Sequence, residues 1–336
     1  MKNRLKVIVL WVLLALIVQF SGLFYANNYL FSNNINDVKM EKVDVNENEN
    51  DKPQADISLP ADLNMFKTSY NGKYISYVEN KEIKIINTET GNVQKTSFTE
   101  HSYYQWISDR NRMLIGLKQG DQVELSYYDI DKDVKEKIKD IEIDGNGKVT
   151  DIKAAPLTQV TYVKVTNGSK NYIYRLNIMN ELTKAKLKTS KVGDISLCKR
   201  EDKLLYEDLN SNNIAISGSE TTLKAGEGIN KLLSVDIDDN AYIASVDKNG
   251  IVKTLVYGPV KEPKSFKKLE VPANTNYKNI HVTNNGNVYV NENLKGILRD
   301  VKNNKEVSYQ GKILSVYENG ITSISGGKLV KTKIQP

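Results

Sequence analysis

Residues able to do chemistry are few and scattered along this 336-residue chain. Its two histidines, His101 and His281, stand about 180 positions apart, and neither sits in an H-E-x-x-H or H-x-H spacing that would give a zinc ion two imidazoles from one element. There is no G-x-S-x-G nucleophile turn, no phosphate-cradling glycine loop and no dinucleotide fingerprint. Asp129-x-Asp131-x-Asp133 alternates carboxylates as a calcium loop does, but Val134 stands where the sharp turn needs glycine. Asp208-x-Asn210-x-Asn212 lacks the later glutamate, and Asp236-x-Asp238-Asp239 runs straight into a β pattern. These read as polar hairpin turns. The expectation is a protein with no catalytic residue, no metal and no cofactor.

Chemistry of contact is better represented. His101-Ser102-Tyr103-Tyr104-Gln105-Trp106 gathers three aromatics in one short segment. Tyr and Trp give large rigid contact area and concentrate in binding hot spots, so Tyr103, Tyr104 and Trp106 are the leading binding candidates. The competing reading uses period two: Tyr104 and Trp106 share one face of a strand and pack inside the protein. Lys264, Lys267 and Lys268 form a small basic cluster suited to an anionic polymer, or simply a solvated loop.

The elements that hold these residues read as short strands. Tyr70–Gln94 breaks into three, cut by Asn71-Gly72-Lys73, Glu79-Asn80-Lys81 and Asn87-Thr88-Glu89-Thr90-Gly91. Asn and Gly carry the positive φ of tight turns, while Ile, Val and Tyr suit a half-buried pleated surface. The rhythm recurs with strand centres at Ile75, Leu114, Val160, Leu204, Tyr242, Val288 and Ile321, each followed by a second strand. A period near 40 residues with about four strands per unit predicts an all-β fold, a β-propeller over residues 62–336. Seven blades fit best, six being the alternative. The last unit is short, so residues around 55–68 are expected to complete it.

Before this region the chain changes character. Lys2, Arg4 and Lys6 precede Val7–Tyr25, 19 residues without a charge. As a helix they would span roughly 28 Å, close to the hydrocarbon thickness of a bilayer. The positive-inside rule then places residues 1–6 in the cytoplasm, a transmembrane anchor over 7–25 and the rest outside. Residues 26–61, acidic and asparagine-rich, cannot bury enough apolar surface to offset chain entropy and read as a disordered tether. A single cysteine, Cys198, excludes an intramolecular disulfide. An exported protein without disulfides fits a Gram-positive surface better than an animal secretory route.

Ser69-Tyr70-Asn71-Gly72-Lys73, Asn87-Thr88-Glu89-Thr90-Gly91 and Trp106-Ile107-Ser108-Asp109-Arg110 carry a resemblance. They are similar to the S-P-D-G-K and D-x-x-T-G repeat of TolB-like and dipeptidyl-peptidase-type propellers, relatives of the WD40 class. The likeness is specific in the first two units and architectural in the others. It implies a propeller and very little about activity. Taken together, the sequence predicts a membrane-anchored, non-catalytic binding or scaffolding module for an envelope protein or anionic wall polymer. Nucleic acid is not an expected partner, despite a formal net charge of +6. The alternatives are a divergent hydrolase or lyase with a site in the propeller channel, and an accessory sensor of a membrane signalling protein.

Overall fold

The structure, a computed structural model, describes residues 2–25 and 55–334. Two compact units separate, residues 1–52 and 53–336. In the first, Lys2–Tyr25 is one α-helix. Among the described residues no helix is long and apolar enough to cross a membrane. The segment expected to be an anchor is thus seen as a helix and not shown to be a span. The proposed tether lies outside the described residues as far as residue 54.

The second unit is all-β: six four-stranded antiparallel sheets and one of three strands, each meandering in chain order. The first strands of the seven blades are Asn64–Thr68, Tyr103–Trp106, Lys148–Ala155, Val192–Leu197, Ile229–Val235, Ile280–Val282 and Lys312–Tyr317. First strands of blades one to six approach one another in succession, and that of blade seven lies beside that of blade one, so they ring a central channel. The strand centres predicted from sequence all fall in the second strand of a blade. Those strands are the most buried; Leu204–Asp208 is buried at every position. Outer strands such as Val134–Glu142 are largely exposed and carry alternating lysines and acids, which discourage edge-to-edge pairing.

The core is not one mass but seven seams, each cluster of buried apolar side chains filling the gap between two adjacent blades. Tyrosine suits these seams because its ring packs while its hydroxyl reaches the rim. Tyr74 donates to Asp131 of blade two at 2.7 Å, and Tyr162 to Asp202 of blade four at 2.8 Å. The excess of Tyr over Phe, 19 to 6, has this use.

Closure comes from both ends of the unit. Ser58 forms an antiparallel bridge with Lys328, Leu59 N–H donates to the Gly327 carbonyl at 2.9 Å, and Leu329 N–H donates to Ile57 O at 2.9 Å. Ile57 and Leu59 are buried in the seam between blades seven and one. The fourth strand missing from blade seven is thus supplied by residues before blade one. Ala55–Leu59, expected at the end of a disordered tether, belong to the folded unit, since Ile57 and Leu59 alternate inward at strand period. Gly72 sits at the same seam with φ +73°, and a Cβ there would lie 2.4 Å from the Tyr317 ring. Only glycine permits both the turn and that approach.

Candidate functional site

Two places gather functional groups: the channel and one loop face. In the channel, Lys67 of blade one reaches across to blade two. Its ammonium donates to Tyr103 Oη at 2.8 Å, the Tyr104 carbonyl at 2.7 Å and Gln105 Oε1 at 2.6 Å, and lies 4.0 Å from the Tyr103 ring centre. All three N–H bonds go to neutral acceptors. Burial, then the nearby Lys153 ammonium, bring the Lys67 pKa down to about 7 against the pull of Asp151. Burial and Asp151 raise that of Tyr103 well above the usual phenol range. Asp151 lies 3.4 Å from Lys153, and its other carboxylate oxygen is buried without a partner.

Further round the ring, Lys199 follows the first strand of blade four. Burial, then Lys153, lower its pKa to about 8. Burial also lowers Lys164, whose ammonium donates to the Gly193 carbonyl at 2.5 Å. Lys231 is paired with buried Glu207 at 3.0 Å. Burial lowers the His281 pKa below the usual imidazole value. Among the described residues no three of His, Cys, Asp and Glu converge as metal ligands. Cys198 is buried in the seam between blades four and five, and burial pushes its thiol pKa up to about 12.

The aromatic run divides by strand period. Tyr104 and Trp106 are 0% and 5% exposed and fill the seam between blades one and two. The Trp106 indole stacks on Tyr74 at 6.1 Å and donates to Ser76 Oγ at 2.8 Å. Tyr104 donates to the Met65 carbonyl and meets Phe98 edge-on. Neither offers a surface to a partner, so the packing reading holds for both. Only Tyr103, alternating to the opposite side, reaches the channel. Lys264, Lys267 and Lys268 are all exposed at the outer edge of blade five. Lys267 and Lys268 are successive strand residues and point to opposite faces, so they form no single basic patch.

The loop face lies between blades two and three. A pocket of about 340 Å³ is lined by Ile107, Arg112, Tyr127, Ile138, Leu176 and Ile178 among others. Arg112 pairs with Asp129 at 2.8 Å, its guanidinium 5.5 Å from the Tyr127 ring centre. Beside the pocket, Leu157 between the first two strands of blade three is 60% exposed. Ile178 and Met179, between its last two strands, are 60% and 75% exposed. Antiparallel strand order puts both loops on the same side of the disc. Sequence reasoning passed over these residues, though a signal existed: Pro156-Leu157-Thr158 and Asn177-Ile178-Met179-Asn180 place large apolar side chains inside turns, where polar residues are the rule.

Closure of seven blades into a ring defines the class: the folded part of the chain is a seven-bladed β-propeller. No family profile and no characterised protein matches the sequence. Solved structures do match in fold. A catalytically inactive virginiamycin B lyase from Staphylococcus aureus with quinupristin is 13% identical, TM-score 0.56, covering 84% of this chain and 99% of its own. The Cps50 (Swd1) propeller domain of Myceliophteria thermophila is 10% identical, TM-score 0.56, covering 84% and 100%. Kluyveromyces lactis Hsv2 is 12% identical, TM-score 0.51, covering 83% and 90%. At these identities the likeness is one of fold alone, and the resemblance to TolB-like repeats rests on the motifs of the first two blades.

Proposed function

We propose that this protein is a non-catalytic binding module, held at a membrane by Val7–Tyr25 with its propeller on the extracytoplasmic side, that docks another envelope protein through the loop face of blade three. The observation that carries the reading is the trio Leu157, Ile178 and Met179, exposed on two adjacent loops at the mouth of a pocket. Large apolar side chains on a rigid face, rimmed by Arg110 and Asn180, have the make-up of an interface centre. The support for the anchor is the sequence pattern of three cations before an uncharged run. Tethering would raise the local concentration of the face at the membrane.

An enzyme working in the channel is the second reading, favoured by the lowered Lys67 and Lys199 pKa values and by a fold shared with a lyase. Against it, the Lys67 ammonium has every N–H already directed at a neighbour. No residue among those described forms a hydrogen bond or ion pair with the His281 ring. Leu157→Asp/Ile178→Asp/Met179→Asp is expected to leave the melting temperature within a few degrees of wild type, since exposed positions contribute little to stability. The same variant should abolish recovery of a specific partner from crosslinked native membranes. Undiminished recovery would remove blade three from the interface.

A further inference from the structure

The pocket between blades two and three has a chemistry of its own. Its floor is the apolar seam of those blades: Ile107 and Leu176 are buried there, and Tyr127, Ile138 and Ala154 pack half-buried against them. At about 340 Å³ it lies at the small end of ligand sites, with room for about one residue of a partner.

The charged groups at its sides are all cationic. Arg110 and Arg112 line it, and no acidic residue does. The two arginines differ in how far they are committed. Arg110 gives the fork of Nε and Nη2 to Asp109, at 2.9 and 2.8 Å. Arg112 bonds to Asp129 through Nη2 alone, at 2.8 Å, and its Nε is buried without an acceptor. A guanidinium presents five N–H donors and suits two acceptor oxygens held side by side, so Arg112 has donors to spare. Among the described residues, the Tyr127 hydroxyl and the side-chain amides of Gln159 and Asn180 also line the pocket and make no hydrogen bond within the protein.

An apolar floor beside an under-bonded guanidinium fits a carboxylate carried on an apolar body. An aspartate or glutamate side chain has too little apolar surface to cover Ile107, Ile138 and Leu176. Only the last residue of a chain holds a free carboxylate and an apolar side chain on one carbon. We infer that the pocket receives the C-terminal residue of the docked protein, its apolar side chain on the floor and its α-carboxylate on Arg112. The exposed Leu157, Ile178 and Met179 then meet the residues just before that chain end. The source of the terminal residue rests on the docking reading above, whereas the pocket's chemistry is testable without a partner.

The test is 19F NMR titration of the full-length chain in lipid nanodiscs, with empty nanodiscs as the blank. The probe is an acetylated peptide of three alanines ending in 4-fluorophenylalanine, as the free acid and as the C-terminal amide. The acid is expected to bind about ten-fold or more tightly than the amide, because only the acid offers a charged acceptor. Arg112→Gln should bring the two to equal affinity, while Lys267→Gln on the outer edge of blade five leaves the preference in place. If wild type binds neither peptide, or binds the amide as well as the acid, the inference is wrong. That comparison needs no variant, so it holds even if Arg112→Gln does not fold. Free 3-(4-fluorophenyl)propionate is expected to bind several-fold more weakly than the acid peptide; equal or tighter binding would assign a small free ligand and overturn the chain end. The docking reading fails on a different readout, recovery from membranes, so the two failures are told apart.

Discussion

Ile57→Ala and Leu59→Ala are each expected to cost about 2–5 kcal/mol of unfolding free energy, although they lie before the first blade in sequence. Both side chains are buried in the seam that joins blade seven to blade one. Removing them opens a cavity at the one place where the ring is closed by a segment remote in sequence, Ser58 against Lys328. Urea denaturation followed by tryptophan fluorescence measures the loss, with Trp106 as the reporter inside the propeller. The neighbouring ion pair of Lys328 with Asp56, at 2.7 Å, is more than half exposed on both sides, and Lys328→Ala should cost no more than about 1 kcal/mol. A loss below 1 kcal/mol for both alanine variants would mean that residues 55–59 are not the closing strand.

Trp106→Ala is expected to be the most damaging single change in blade two, at about 3–5 kcal/mol. It removes the stack on Tyr74 and leaves Ser76 Oγ without its indole donor in a dry seam. Tyr103→Ala, three residues away, should cost markedly less, because its ring lies on the channel side with one cation against it. Circular dichroism melts of the two variants separate the cases: a low or absent transition for Trp106→Ala beside a near-native one for Tyr103→Ala. Equal melting temperatures would contradict the division of the aromatic run between seam and channel.

The architecture was legible because it depends on local chemistry repeated along the chain. Turns such as Asn80-Lys81, with φ of 52° and 63°, and nearly continuous apolar runs in second strands such as Tyr74–Glu79, buried at its first four positions, mark the blades. The blade number and the borrowed closing strand also followed, the latter from the shortness of the last unit. The tether was nonetheless carried too far, to residue 61, because Ile57 and Leu59 sit in an otherwise polar stretch and their burial depends on Leu329, about 270 residues later. The candidate sites were harder still. Lys67, Lys153 and Lys199 come from three different blades, and only ring closure brings them into one channel. Tyr103 and Tyr104 are indistinguishable by composition and are separated only by which side of a four-residue strand meets the neighbouring blade.

The account turns on whether the blade-three loops are the docking face. The most direct measurement places a photo-crosslinking amino acid at Ile178 in one version of the full-length protein and at Leu294 in another, expressed in native cells. Both positions are exposed, but Leu294 lies between the second and third strands of blade six, on the opposite side of the disc. The account predicts one discrete adduct from position 178 and none from position 294. Adducts from 294 alone, or from neither, would contradict it.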